Sequence, residues 1–418
     1  MQAAANKLQE QLGTIPTEVH AEYKHTPGGE TMRALAWFGK DDVRMVDAPV
    51  PDITEPDDVI VQVTGTTICG SDLHLYHSEI VTLQKGDILG HEFMGKVHKV
   101  GPNVKNLQVG RRFVPDCFIV LMNCMYGQRD AGFFGYSHFT GGFPGGQAEY
   151  VRVPFGNVNL LPIPSEISDE KALYLSDVLP TSYHSVVDTD VRAGDVVGIW
   201  GLGPIGQCTA RWALLKGAKR VIGIDKDPRR LAFAREKSGI ETIGFTKHKD
   251  VPKRIYELVP RGLDVAIDCG TFHEPKTLIH KAQKALMLET DVPETINEMI
   301  VSVRKMGRCG IIAAYSAFAN GVNVGALMEK GVRLIGNGQA PVHKYWEEIL
   351  NDYIKTDKFD PTFMITHRTP LEDMPKLYAA FDKYVDGVEK VFVETKFSDK
   401  PDAAAGCPSI KSVDEWTV

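Results

Sequence analysis

A chain of 418 residues is longer than one hydrophobic core usually serves, so two domains are expected. With 43% hydrophobic and 24% charged residues, the composition is ordinary for a soluble globular protein. A net charge of −7 without a long basic run argues against a nucleic-acid partner, and no apolar run is long enough to span a bilayer.

The opening MQAAANKLQEQLG lacks the apolar stretch of a secretory signal and carries an acidic side chain, Glu10, unlike a transit peptide. Seven scattered cysteines, an odd number, argue against a disulfide framework and for a reducing compartment. A cytoplasmic location is therefore expected.

Residues 1–31 read as an N-terminal extension ending in a polar Pro-Gly-Gly turn. MRALAWFGKDDVRMVDAPVP predicts two short strands around a turn, and DDVIVQVTGTTIC predicts a strand ending at Cys69. GKVHKVGPNV and AEYVRVP predict further strands, so the chain from Met32 to about Pro162 is mostly β with close turns, as in a barrel. The period then changes. SDEKALYLSDVLPTSYHSVV predicts one helix, with Ser168 as its cap and Glu170 in its first turn.

Beyond it, DVVGIWG, RVIGID and DVAIDCG are short apolar runs separated by the helical patterns QCTARWALLKG and PRRLAFAREKSG. That alternation marks a parallel α/β sheet. VPETINEMIVSVRKMG predicts a further helix, and RCGIIAAY and VRLIGNG two more strands. The chain returns to a mixed pattern with helices from about Val342 and over MPKLYAAFDKYVDG, then the strand EKVFVET. Residues 399–418 read as a polar tail.

Gly201-Leu-Gly203-Pro204-Ile205-Gly206 follows a predicted strand, opens a helix and precedes a second strand ending in Asp225. This is the context of a dinucleotide loop: glycines let the backbone approach a pyrophosphate at a helix N-terminus. Asp225 would accept hydrogen bonds from a ribose and repel a 2′-phosphate, favouring NAD over NADP, while Arg229 and Arg230 lie close by and temper that preference.

Three stretches carry candidate metal ligands: TTICGSDLHLY with Cys69, Asp72 and His74; GDILGHEFMGKV with His91 and Glu92; and LYLSDVLPTSYHS with Asp177 and His184. Beside a nucleotide fold they point to a catalytic zinc, which takes three N, S or O donors and keeps one position open.

With CGSDLH, GHEFMGKVHKVG, VGRRF, GGQAEYVRVP, GLGPIG and THRTPLEDMPKLYAAFD in place, the chain resembles the zinc-dependent medium-chain alcohol dehydrogenases from about Met32 to Ser398. SDVLPTSYHS, the stretch from HKAQKALMLETD to GIIAAYS, and GQAPVHKYWEEIL are similar to the glutathione-independent formaldehyde dehydrogenase branch. The resemblance implies an α/β chain with a GroES-like β-barrel catalytic domain (32–177 and 339–398) and a Rossmann doubly wound parallel-sheet domain (178–338). It implies catalytic zinc on Cys69, His91 and Asp177, with Glu92 beside the metal. Ser71 and His74 would form a proton relay through the cofactor ribose. Thr181 would line the nicotinamide pocket, with Gly201, Gly203, Pro204, Ile205 and Gly206 on the pyrophosphate, Asp225 and Arg230 on the adenosine ribose, and Lys390 near the pyrophosphate. The implied activity is hydride transfer between an alcohol or aldehyde and NAD(H) in a homodimer or homotetramer. Two alternatives stay open: aldehyde dismutation or another reduction, and a non-catalytic NAD-binding relative.

One stretch departs from the family. Relatives carry a structural zinc on four closely spaced cysteines, but DCFIVLMNCMYGQRDAGFF offers only Cys117 and Cys124, with Met122, Gly127 and a phenylalanine near Phe134 at the other places. One zinc per subunit and a lobe held by apolar packing are expected. The aromatics of GFFGYSHFTGGFPGG either shape a substrate pocket or form lobe core.

Overall fold

The computed structural model describes residues 24–80, 82–120, 131–270, 291–315, 319–338, 340–399 and 406–417. Cys124, Met122, Gly127 and most of the N-terminal extension lie outside the described residues. The chain divides into two compact units, Met1–Asp177 with Pro341–Val418, and Val178–Ala340.

In the first unit, the hairpin of Thr31–Gly39 and Asp42–Pro49 turns at Asp41, which takes a positive φ of 58°. A seven-stranded sheet runs Ile365–Pro370, Lys390–Glu394, Val59–Thr66, Phe93–Val100, Arg112–Pro115 and Leu160–Pro162, with Tyr150–Val153 also paired to Val59–Thr66. Val59, Ile60, Val61 and Val63 are all buried, which explains a run of apolar residues without alternation: both faces of this central strand are covered.

The second unit is a six-stranded parallel sheet ordered Glu241–Gly244, Arg220–Asp225, Val196–Trp200, Leu263–Asp268, Val303–Ile311 and Arg333–Gly336. That is the doubly wound order, reversing beside Val196–Trp200, and ligands in such sheets bind at the carboxyl ends near this reversal. Among the described residues no helix is long and apolar enough to cross a membrane.

Four elements differ from the sequence expectation. The strand expected to reach Cys69 ends at Thr66, and Cys69 instead caps the helix Gly70–Tyr76. Asp72 causes this: its carboxylate reaches back to the Cys69 N–H at 2.9 Å, closing a capping box. The single helix expected after Ser168 is three pieces, Asp169–Ala172, Leu173–Leu175 and Val178–Asp188. Pro180 has no N–H for the Ser176 carbonyl, which accepts the Cys117 N–H instead at 3.2 Å. The helix Glu294–Ser302 is shorter than expected, because the strand Val303–Ile311 already pairs with Leu263 at Val303.

The fourth difference is the tail. Residues 406–417 dock on their own unit: the Lys411 N–H donates to the Arg368 carbonyl at 2.9 Å, and Ser412 Oγ donates to Asp373 at 2.7 Å. Trp416, 7% exposed, joins the core of Leu371, Met374, Leu377 and Tyr378 and lies 4.1 Å from the His367 ring. Burial holds His367 below its ordinary imidazole range, against the pull of Asp386 at 3.3 Å, and Lys411 adds to the lowering. The fold therefore favours the neutral ring. Docking is expected to be complete above the unfolded imidazole value of about 6.5 and to weaken as pH falls below it. The emission difference between the wild type and Trp416→Phe, followed from about pH 8 to about pH 5.5, measures this; a flat profile refutes it.

Candidate metal centre and cofactor loop

Cys69, His91, Glu92 and Asp177 each turn one ligand atom into a common cluster, with all four atoms within 4.8 Å of one another. They come from three separate pieces of chain. Cys69 stands at the cap of Gly70–Tyr76, His91 and Glu92 lead into the strand Phe93–Val100, and Asp177 sits at the break that Pro180 imposes. Gly90, with φ 97°, lets His91 enter: a side chain there would lie 2.4 Å from Gln147 Cγ.

His91 is almost fully buried. Its Nδ1 lies 3.2 Å from Asp72 Oδ1, and its Nε2 faces Asp177 Oδ2 at 3.5 Å and Ser71 Oγ at 3.4 Å. Burial pushes this imidazole down, but the Asp72 charge and the neighbouring Asp177 and Cys69 outweigh it and hold the ring well above its ordinary range. A carboxylate on one imidazole nitrogen with the other turned to a donor cluster is the usual support of a metal-bound histidine.

Glu92 and Lys390 are both 1% exposed, and Lys390 Nζ lies 2.6 Å from Glu92 Oε1 and 3.1 Å from the Ile68 carbonyl. Burial raises the Glu92 carboxyl against the pull of Lys390. The ammonium is lowered by burial but held above its ordinary range by Glu92 and by neighbouring Cys69 and Asp177. Glu92 Oε2 is buried without a hydrogen-bond partner among the described residues. One thiol, one imidazole, two carboxylates and an unsatisfied buried oxygen fit a divalent zinc.

Ser71 and His74 share the helix Gly70–Tyr76, and Glu79 Oε2 holds His74 Nδ1 at 2.5 Å. His184 is outside the cluster, its Nε2 3.9 Å from Asp188 Oδ2. Cys117 is also outside it. Burial, with Asp177, Asp116 and Glu92 nearby, pushes its thiol far above the ordinary range, so it stays protonated.

The aromatic stretch divides between the sheet core and the surroundings of His91. Phe134 packs on Phe93 at 5.2 Å and joins Phe143 in the sheet core. Phe133 and Tyr136 turn their edges to His91 at 5.5 and 5.9 Å. The Tyr136 hydroxyl is pushed up to about 12, chiefly through burial. Tyr136 escaped the sequence reading because nothing in GFFGYSH separates it from Phe134. Asp72 was legible only as a further possible ligand; the capping-box spacing CGSD was the signal for its supporting position.

In the second unit, Gly201 turns with φ 85°, and a side chain on Gly206 would lie 1.9 Å from the Gly201 carbonyl. Gly203 caps the helix Pro204–Leu215, with Pro204 pre-set at its first position and Ile205 beside it. Asp225 ends the strand Arg220–Asp225 and is 5% exposed. It accepts the Leu202 N–H at 2.7 Å on one oxygen and the Asp227 N–H at 2.8 Å on the other, tying the loop to the strand end. The Arg230 guanidinium lies 3.7 Å from where a Gly203 side chain would begin. Thr181 is half-buried on Val178–Asp188.

Residues 55–165 match the alcohol dehydrogenase GroES-like domain, and residues 204–286 match the zinc-binding dehydrogenase domain. A zinc-type alcohol dehydrogenase-like protein of Schizosaccharomyces pombe is 38% identical across 93% of this chain and 97% of its own length. The chain belongs to the zinc-dependent medium-chain alcohol dehydrogenase family. Within the family, a glutathione-independent formaldehyde dehydrogenase of Pseudomonas aeruginosa is 32% identical over 86% of this chain and 96% of its own. The solved alcohol dehydrogenase TADH of Thermus sp. ATN1 superposes with a TM-score of 0.76 at 29% identity, over 87% of this chain and all of the other. The chain is thus a member of a zinc-dependent oxidoreductase family with the GroES-like and Rossmann pair of folds.

Proposed function

We propose that this protein transfers hydride between a small alcohol or aldehyde and NAD(H) at a single catalytic zinc. The convergence of Cys69, His91, Glu92 and Asp177 on one point supports the reading. Zinc, when bound, polarises the substrate oxygen, and NAD takes or returns the hydride. Cys69, His91 and Asp177 would hold the metal, while Asp72 keeps His91 Nε2 aimed at it. Glu92, steadied by Lys390, would be the neighbouring carboxylate. Ser71 Oγ would accept the substrate hydroxyl proton, and His74, one turn along the same helix and anchored by Glu79, would pass it outward. Phe133 and Tyr136 would present apolar edges to the substrate. The dinucleotide would lie along Gly201, Gly203, Pro204, Ile205 and Gly206, its nicotinamide near Thr181 and its adenosine ribose near Asp225 and Arg230. Metal analysis and a screen of alcohols and aldehydes by nicotinamide absorbance test this reading. About one zinc per chain with reversible absorbance change supports it, and a metal-free protein that reduces NAD refutes it.

NAD is the expected cofactor because a 2′-phosphate would meet the Asp225 carboxylate. The kcat/KM for NAD is expected to exceed that for NADP by at least about tenfold, a difference of about 1.4 kcal/mol. Equal efficiencies overturn the role given to Asp225.

A homo-oligomer is proposed at the sheet edge Arg333–Gly336, where Leu334 is 37% exposed beside a helix whose Met328 is 75% exposed. Such an edge is a template for pairing with a second copy. Light scattering on the wild type and on Leu334→Lys decides it.

A further inference from the structure

The metal donor Asp177 sits at an interrupted helix, a poor place to hold a ligand still unless something outside the helix braces it. Two carbonyls just before it are bonded from elsewhere. The Trp346 indole N–H donates to the Leu175 carbonyl at 2.9 Å, and the Cys117 N–H donates to the Ser176 carbonyl at 3.2 Å. Ser176 Oγ closes the turn on the Leu173 carbonyl at 2.7 Å.

The two braces are joined to each other. Asp116, the residue before Cys117, is 1% exposed and lies 2.5 Å from His343 Nδ1. His343 Nε2 lies 3.0 Å from the Val158 carbonyl. The Asp116 N–H in turn donates to the Asn159 carbonyl at 3.2 Å. His343 and Trp346 stand three residues apart on the helix Val342–Glu348, hence on one face, with ring centroids 4.4 Å apart. A closed circuit results: Trp346 to Leu175, Ser176 to Cys117, Asp116 to His343, and His343 back to Trp346. Its members come from three segments distant in sequence, and Asp177 is the next residue on the chain.

We infer that Trp346, His343 and Asp116 are positioning residues for Asp177, fixing the carboxylate of the metal donor set from behind. This rests on the reading of Asp177 as a zinc ligand. The indole and imidazole touch neither metal nor substrate; they set where the Leu175–Asp177 backbone lies, and so the distance and direction from which the carboxylate meets the metal. Nothing in DCFIVLMN or GQAPVHKYWEEIL alone indicates this, because each supplies half of the circuit.

The test uses the full-length zinc-loaded protein. Trp346→Phe keeps an aromatic side chain but removes the indole N–H, and His343→Gln removes the ring contact and loosens the tie to Asp116. Zinc affinity is read by competition with a chromophoric chelator, and the ligand field by the visible spectrum after cobalt substitution. Each variant is expected to bind zinc about tenfold more weakly, as is usual when outer supports of a metal ligand are lost, and to shift the cobalt bands. Unfolding of the metal-free protein reports any plain structural loss separately. Asp177→Asn is the reference. If Asp177→Asn loses zinc while both brace variants keep wild-type affinity and unshifted cobalt bands, the brace is refuted. If Asp177→Asn itself keeps wild-type affinity, the ligand assignment is what has failed.

Discussion

Asp177→Asn and Cys69→Ala are each expected to lose bound zinc and turnover together. Each removes one of three proposed protein donors from a buried cluster, and the remaining pair cannot complete a tetrahedral site with an open position. Asparagine keeps the size of aspartate but loses the anionic charge, so any loss reports coordination rather than packing. Polarisation of the substrate oxygen by a metal contributes several kcal/mol, and 1.36 kcal/mol is tenfold in rate, so a fall in kcat/KM of about a thousandfold or more is expected. Metal content by atomic spectroscopy, measured beside initial rates, checks it. A variant with full zinc and an unchanged rate would mean that the cluster is not the catalytic centre. His74→Ala should behave differently, keeping its zinc while its rate falls, because the proposed relay lies outside the donor set.

Lys390→Met is expected to be among the most destabilising single changes in the first unit. Lys390 and Glu92 are both 1% exposed and 2.6 Å apart, so removing the ammonium leaves a carboxylate buried beside Asp177 and Cys69. Breaking a buried pair from one side costs about 3–5 kcal/mol. Adding Glu92→Gln should return part of that loss, because it removes the stranded charge. Denaturant unfolding of the metal-free single and double variants measures the coupling between them. The resemblance places Lys390 near the pyrophosphate, and an NAD titration beside the unfolding separates the two roles. If Lys390→Met weakens NAD binding and leaves stability of the metal-free protein unchanged, its main partner is the cofactor and not Glu92.

How legible the site was depended on how local each piece of its chemistry is. The loop proposed to hold the dinucleotide could be read directly, because the glycines that permit its turn stand within one six-residue motif. The proposed zinc donors could be read only through their motifs and the family resemblance. Three scattered residues have no spacing rule of their own, and Asp72, His74 and His184 stood among the candidates beside them. Geometry separated them: His74 and His184 lie outside the cluster, and Asp72 stands behind His91.

By itself the sequence determined the fold pair, the glycine-rich strand-to-helix turn and the family, since strand and helix periods, glycine spacing and contiguous motifs are properties of neighbouring residues. Only the tertiary structure decided that Lys390 faces Glu92, that Phe134 is core while Tyr136 meets His91, that Trp416 anchors the tail, and that Trp346 reaches the break before Asp177. Each of these is a contact between segments far apart along the chain. The free energy that selects it comes from burying apolar surface and satisfying buried polar groups across that distance, and no local pattern records which partner will be there.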